Sequence, residues 1–358
     1  MVRMTPFRIE IPQADVDDLR ERLARTRWAG QLPGDQWSRG VPVEHLRELA
    51  EYWRTGYDWR AREAELNAFP QFTTEIDGLR VHLLHVRSAN PDALPLILTH
   101  GWPNTFVEFV RVIPELLADF HVVVPSVPGF GFSQAPEAGF SVNKVARMWA
   151  ELMRRLGYDR YGTQGGDFGA YVAPEVAVVD PEHVVGVHID GGLGFPTEAD
   201  VADMTANEKA EYEVIMGWAG AGVDHHALLR AAPQTMAYGW HDSPAAALAW
   251  HAQKFHDFFD VVDRDLFLTN LSVYWFTGTF GTSSWPMYDT THTTWPQGQA
   301  RVPSGVYGGG PALFRRLADK HNTIVHWPEG NPGGHFVAME EPVAHAADIK
   351  AFFGKVLA

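Results

Sequence analysis

The sequence predicts an α/β protein: a mostly parallel sheet covered by helices on both faces, a helical insertion late in the chain, and a long amino-terminal extension before the core. Three observations carry this. Short apolar runs alternate with amphipathic stretches up to about residue 190. The alternation then gives way to helix-like sequence rich in Trp, His and Tyr over 192–290, and it returns in part from Gly305 onward. The resulting division is an extension over 1–92 that includes a first hairpin, core over 93–191, a cap over 192–290 and the rest of the core over 291–358.

In chain order, residues 13–28 place Val16, Leu19, Leu23 and Trp28 on one face of a helix with acids early and arginines late, and a second helix is expected over 44–57. Gly30-Gln31-Leu32-Pro33-Gly34 separates them as a loop. Residues 72–76 and 79–86 read as strands joined at Asp77-Gly78, a two-residue hairpin signal. The apolar run 94–99 reads as a buried strand delivering His100-Gly101-Trp102-Pro103-Asn104 to the carboxyl edge of the sheet, where α/β folds place their sites. A strand over 121–127, a helix over 143–156, a short strand near Tyr161, a helix from Ala170 to Val179 despite Pro174, and a strand over 184–189 follow. The last strand is expected at 324–327 and the last helix at 342–356.

Composition excludes several functions. The 358 residues are 46% hydrophobic, enough for a large core in one elaborated domain or two. Thirteen Trp and twenty-one Phe suit an apolar pocket as well as packing. A net charge of −15 without a basic run argues against nucleic acid or an anionic membrane as partner. Without cysteine, disulfides and thiol catalysis are excluded. The first six residues carry no apolar signal core, and no stretch approaches the roughly 18 apolar residues of a membrane span. A cytoplasmic protein acting on a small hydrophobic molecule is the expectation, with a homodimer allowed and neither metal nor cofactor called for. The pairs His225-His226 and His251, His256 lack acids at a persuasive ligand spacing.

The chemistry concentrates at Gly165-Gly166-Asp167-Phe168-Gly169. In a G-x-S-x-G nucleophile elbow, glycines permit a strained strand-to-helix turn that exposes the central side chain beside backbone N–H groups. Here the centre is Asp167. A carboxylate is a nucleophile at neutral pH toward an sp3 carbon bearing a leaving group, and the ester it forms must then be cleaved by water. That step needs a base, and His335, flanked by Gly333-Gly334 near the C-terminus, alone combines the position and the flanks among seventeen histidines.

With these residues, the chain resembles the microsomal-type epoxide hydrolases of the bacterial branch over nearly its whole length. The resemblance rests on Pro6-Phe7-Arg8-Ile9 through Arg27-Trp28, on Tyr52-Trp53-Arg54-Thr55-Gly56-Tyr57-Asp58-Trp59-Arg60 with Asn67-Ala68-Phe69-Pro70, on the His100-Gly101-Trp102-Pro103 loop and the elbow, and on Asp242-Ser243-Pro244, Gly334-His335-Phe336 and Glu340-Glu341-Pro342. It implies an α/β-hydrolase fold with a helical cap, and cofactor-independent hydrolysis of an epoxide to a vicinal diol. Asp167 would attack the epoxide, His335 would activate water, and the N–H groups of Trp102 and Phe168 would hold the oxyanion. His100, Trp102, Phe168, Trp285 and Met287 would line the pocket, although His100 and Trp102 equally suit packing.

Two parts depart from the family pattern. The loop expected to carry the acid that orients the histidine reads Tyr307-Gly308-Gly309-Gly310-Pro311-Ala312, without an acid; Asp190 at the preceding strand end is the expected replacement, and Glu329 stays open. Of the two tyrosines that protonate the departing oxygen, one aligns with His225 and the other with Met287, so a protonated His225 and a shifted Tyr288 are the expected substitutes. A bulky aromatic or polycyclic epoxide is the expected substrate. A dehalogenase of the same nucleophile type and a non-catalytic, small-molecule-binding hydrolase homologue are the alternatives.

Overall fold

The computed structural model describes residues 4–34, 37–191, 198–219, 225–289, 299–309 and 312–358. Gly192, Gly310 and Pro311, which entered the expectations above, lie outside the described residues.

The alternation of apolar runs folds as an α/β-hydrolase core. Among the described residues the sheet has nine strands: β1 (Thr5–Phe7), β2 (Gln71–Ile76), β3 (Leu79–Val86), β4 (Leu94–Thr99), β5 (Phe120–Pro125), β6 (Tyr161–Gly166), β7 (Val184–Asp190), β8 (Pro303–Val306) and β9 (Thr323–His326), in the order β1-β2-β3-β5-β4-β6-β7-β8-β9. Contacts from β5 through β9 are parallel, and β1, β2 and β3 join antiparallel. The expected hairpin forms: Asp77 and Gly78 both take positive φ, 52° and 78°, as a two-residue turn of primed type requires. β1 and β8 are additions to the expected strands. With three and four residues, they are too short for a period-2 pattern to register.

Burial follows the reading of the strands. Every residue of β5 and β6 is buried, as expected for parallel strands covered on both faces. The helix Val142–Arg155 places Val145, Trp149 and Leu152 against the sheet, capped by the Ser141 hydroxyl, which accepts the Lys144 N–H at 3.3 Å. The first helix ends at Ala24, short of Trp28, and a separate helix Trp59–Leu66 opens on Asp58, whose carboxylate accepts from the Ala61 N–H. Pro174 sits inside the helix Phe168–Val179 without ending it.

The described part of the inserted segment is helical: Ala206–Ala219, His225–Ala231, Pro233–Asp242, Pro244–Lys254 and Arg264–Thr277. The amino-terminal helices pack directly on it. Trp53 donates its indole N–H to Ser272 at 3.0 Å, the Tyr57 and Thr269 hydroxyls are 3.0 Å apart, Tyr52 donates to Asp265 at 2.7 Å, and Arg22 pairs with Asp242 at 3.0 Å. No helix among the described residues is long and apolar enough to cross a membrane.

Candidate active site

β6 runs into the helix Phe168–Val179 through Asp167, whose φ of 51° and ψ of −118° mark a sharp, strained turn that few residues with a Cβ adopt. The glycines around it are there because nothing larger fits. A Cβ on Gly169 would lie 2.0 Å from the Thr99 carbonyl oxygen, and one on Gly165 would lie 2.4 Å from that of Gly169. Gly101 of the neighbouring loop is equally constrained, since a Cβ there would meet that of Asp167 at 2.4 Å. Loop and elbow therefore touch backbone to side chain.

That contact creates the functional geometry. The Trp102 N–H donates to Asp167 Oδ1 at 2.8 Å, and the Phe168 N–H also bonds the carboxylate. His335 approaches the other oxygen, with Nε2 3.5 Å from Oδ2, and half of its side-chain surface is open. Burial opposes charge on Asp167, but the His335 hydrogen bond and charge and the two N–H donors outweigh it and hold the carboxyl down at about 2. For His335 burial also opposes the charged form, and the Asp167 hydrogen bond and charge, with Glu108 and Glu340 behind them, raise the imidazole above its ordinary value. The structure thus brings Asp167, His335 and the N–H groups of Trp102 and Phe168 together.

The remaining expected residues divide. Phe168 packs edge-on to Trp285 at 5.3 Å, and Trp285 and Met287 are both buried, consistent with an apolar wall. Trp285 anchors that wall through its indole N–H, which donates to the Pro128 carbonyl at 2.7 Å. Trp102 stacks on His225 at 5.0 Å. His100, by contrast, is a packing residue. It is fully buried, accepts the Val127 N–H on Nε2 and turns Nδ1 to the Gly101 carbonyl, which fixes it as a neutral imidazole; its pKa is pushed down to about 4 by burial.

Three expectations need correction. Asp190 gives one oxygen to His345 Nε2 at 2.8 Å and the other to the Gln164 amide at 2.8 Å, while Asp167, Glu108 and Glu340 act most strongly on His335. Asp190 faces the C-terminal helix rather than the His335 imidazole, and Glu329 is exposed. Tyr288 is 44% exposed beside Asp289. A step of one residue in the short helix Trp285–Tyr288 turns a side chain by about 100°, so moving the phenol from position 287 to 288 carries it off the inward face. His225 does reach the site, feeling the charges of Asp167 and His335, but burial, Lys254 and His226 push its pKa down to about 3. It is a neutral imidazole there, not a cationic acid.

Two groups were missed by sequence. Glu340 accepts the N–H groups of Gly334 and Phe336, both at 2.8 Å, and so clasps the His335 loop on either side. Glu108, on the one-turn helix Phe106–Phe109, is buried and accepts the Gly101 N–H at 3.3 Å; burial lifts its carboxyl to about 8. The spacing of Glu340 from the histidine was legible, but the meaning of Glu108 depends on a fold-brought contact. For metal ligation, His188, Asp190 and His345 offer donor atoms within 4.8 Å of one another. Their carboxylate partners are already engaged, Asp190 as above and Asp348 with His188 at 2.9 Å and His326 at 2.8 Å, so the cluster serves as a hydrogen-bonded joint between β7, β9 and the C-terminal helix.

Comparison with known proteins accords with this geometry. Residues 4–109 match a family model described as the epoxide hydrolase N terminus, and residues 95–250 match one for the alpha/beta hydrolase fold. A protein of Stigmatella aurantiaca carrying a provisional epoxide hydrolase name is 38% identical over 99% of this chain and 86% of its own length. Epoxide hydrolase 1 of Sus scrofa is 30% identical over 98% of this chain and 88% of its own. Among solved structures, juvenile hormone epoxide hydrolase from the silkworm Bombyx mori superposes with a TM-score of 0.88 at 26% identity, covering 100% of this chain and 95% of that one. Aspergillus niger epoxide hydrolase gives 0.84 at 29%, covering 99% and 97%.

Proposed function

Because the chain belongs to the epoxide hydrolase family, we propose that it converts a bulky hydrophobic, aromatic or polycyclic epoxide to a vicinal diol through an ester on Asp167. The observation that carries this reading is the division of labour between the two Asp167 oxygens. Oδ1 is held by the Trp102 N–H, and Oδ2 faces His335. Oδ2 attacks an epoxide carbon, the carbon–oxygen bond of the ring breaks, and the departing oxygen leaves as an alkoxide that takes a proton from solvent water. Oδ1 becomes the ester carbonyl without leaving its hydrogen bond.

Water then attacks the carboxyl carbon while His335 Nε2 takes its proton. Charge develops on Oδ1, where the Trp102 N–H is already aimed, and the Phe168 N–H also acts on the carboxyl, so little reorganisation is needed at that moment. The ester bond breaks, the imidazolium returns its proton to the leaving oxygen, and the diol departs. The aromatic and apolar groups Trp102, Phe168, Trp285 and Met287 support a ring-bearing substrate.

The test is to incubate the parent and a His335→Gln variant with aryl epoxides and examine the Asp167 peptide by mass spectrometry. Diol release by the parent and an accumulated adduct on the variant are expected. An unmodified Asp167 in the variant, with diol still produced, would contradict the ester.

A further inference from the structure

The reaction proposed above leaves His335 cationic in its second half, and the segment from Tyr307 to Ala312 supplies no acid to balance it. Of the three carboxylates that act most strongly on His335, Asp167 loses its charge on becoming an ester, and Glu340 is spent on the N–H groups of Gly334 and Phe336. Glu108 remains. It is 5% exposed, it accepts the N–H of Gly101, and Gly101 abuts Asp167 so closely that a Cβ there would clash with it. The segment Val337–Glu340, which directly follows the His335 loop, packs on the same one-turn helix that carries Glu108. Glu108 therefore sits where the nucleophile loop and the histidine loop meet.

We propose that Glu108 is the positioning carboxylate for His335 during ester cleavage, replacing the acid missing from the 307–312 segment. In the resting protein, burial keeps Glu108 largely protonated, with the charges of Asp190 and Asp167 pushing the same way and the Gly101 N–H and His335 pulling against them. Esterification removes the Asp167 charge, and proton transfer from water makes His335 cationic. Both changes favour ionised Glu108, whose proton passes to solvent and returns when the Asp167 carboxylate is restored. The counter-charge thus appears only in the half-reaction that needs it. Glu340, His225 and Tyr274 are the other titratable groups facing this pair among the described residues.

The proposal depends on the ester reading, and its test separates the two. Asp167→Asn puts a neutral amide where the neutral ester would be. In that background, NMR titration of His335 with and without Glu108→Gln should show the imidazole pKa falling by about one unit when Glu108 is removed, with Glu108→Asp retaining part of the difference. An unchanged His335 titration overturns the proposal. This readout needs no turnover, so it decides the role of Glu108 even if the parent forms no ester, a result that would sink the ester reading alone. In single-turnover kinetics on otherwise native protein, Glu108→Gln should slow ester cleavage about tenfold or more relative to ester formation. Equal slowing of both steps, or a selective loss of cleavage in Asp190→Asn but not in Glu108→Gln, also overturns it. The Gln side chain keeps the shape of the protonated acid, and circular dichroism checks that the fold is intact.

Discussion

Asp167 and His335 share one electrostatic arrangement, and its pH dependence follows in sign. The Asp167 carboxyl is held down at about 2, so it stays ionised throughout the working range, as the proposed nucleophile must. His335 must be neutral to accept a proton from water, and its pKa is raised while Asp167 is charged. Lowering the pH therefore leaves ester formation untouched down to about pH 4 while ester cleavage fails as His335 protonates. Quenched-flow measurement should find the ester accumulating in acid; ester formation falling in parallel with cleavage would contradict this. The same pair predicts that Asp167→Asn lowers the His335 pKa, readable by NMR, because the charge that raises it is gone. Both residues were legible in sequence from flanking glycines and chain order. The three corrected expectations fail for different reasons: Asp190 on the partner its oxygens take, Tyr288 on the direction of its side chain, and His225, which does reach the site, on burial. At Asp190 the choice was His345, 155 residues away.

Among the elements, β7 and the C-terminal helix Pro342–Leu357 are joined by two buried imidazole–carboxylate contacts, His345 with Asp190 and His188 with Asp348. Removing one partner strands a buried charge, which typically costs about 3–5 kcal/mol, whereas replacing both with apolar or neutral groups costs much less. His345→Leu should accordingly lower the denaturation midpoint strongly, and adding Asp190→Asn should recover much of the loss. Additive losses in the double variant would show that the pair is not coupled. The elbow makes a harsher demand. Gly169→Ala drives a methyl into the Thr99 carbonyl at a junction between β4 and the elbow helix, and a loss of soluble folded protein is expected, assayed by expression and thermal melting. β4 and β7 were readable because their apolar runs are nearly continuous, whereas β8, Pro303-Ser304-Gly305-Val306, offers no such run. The three residues of β1 were not readable either, because pairing with β2 rather than any local pattern makes them a strand.

Across the whole molecule, the amino-terminal segment is connected to the loop after β4 through the helix Arg264–Thr277. Trp53 and Tyr57 hold the helix Arg264–Thr277 from outside; from its inner side Asn270 donates to the Pro103 carbonyl at 2.8 Å and Tyr274 to the Asn104 carbonyl at 2.9 Å. Asn270→Ala should loosen the loop that carries the Trp102 N–H and slow ester cleavage, by less than the roughly 100-fold lost when an oxyanion donor is removed outright. Stopped-flow measurement of both half-reactions checks it, and unchanged cleavage would remove the cap from the account of catalysis. None of this relay is visible in the sequence, since its members lie more than 150 residues apart. The Trp102 N–H that pins Oδ1 has one more implication, which concerns where atoms end up. In the proposed ester mechanism, the hydroxyl added to the substrate is an oxygen of Asp167 itself, and the solvent oxygen refills the side chain. In isotopically heavy water the first diol released from each protein molecule should therefore carry only light oxygen, and the label should appear first in the aspartate.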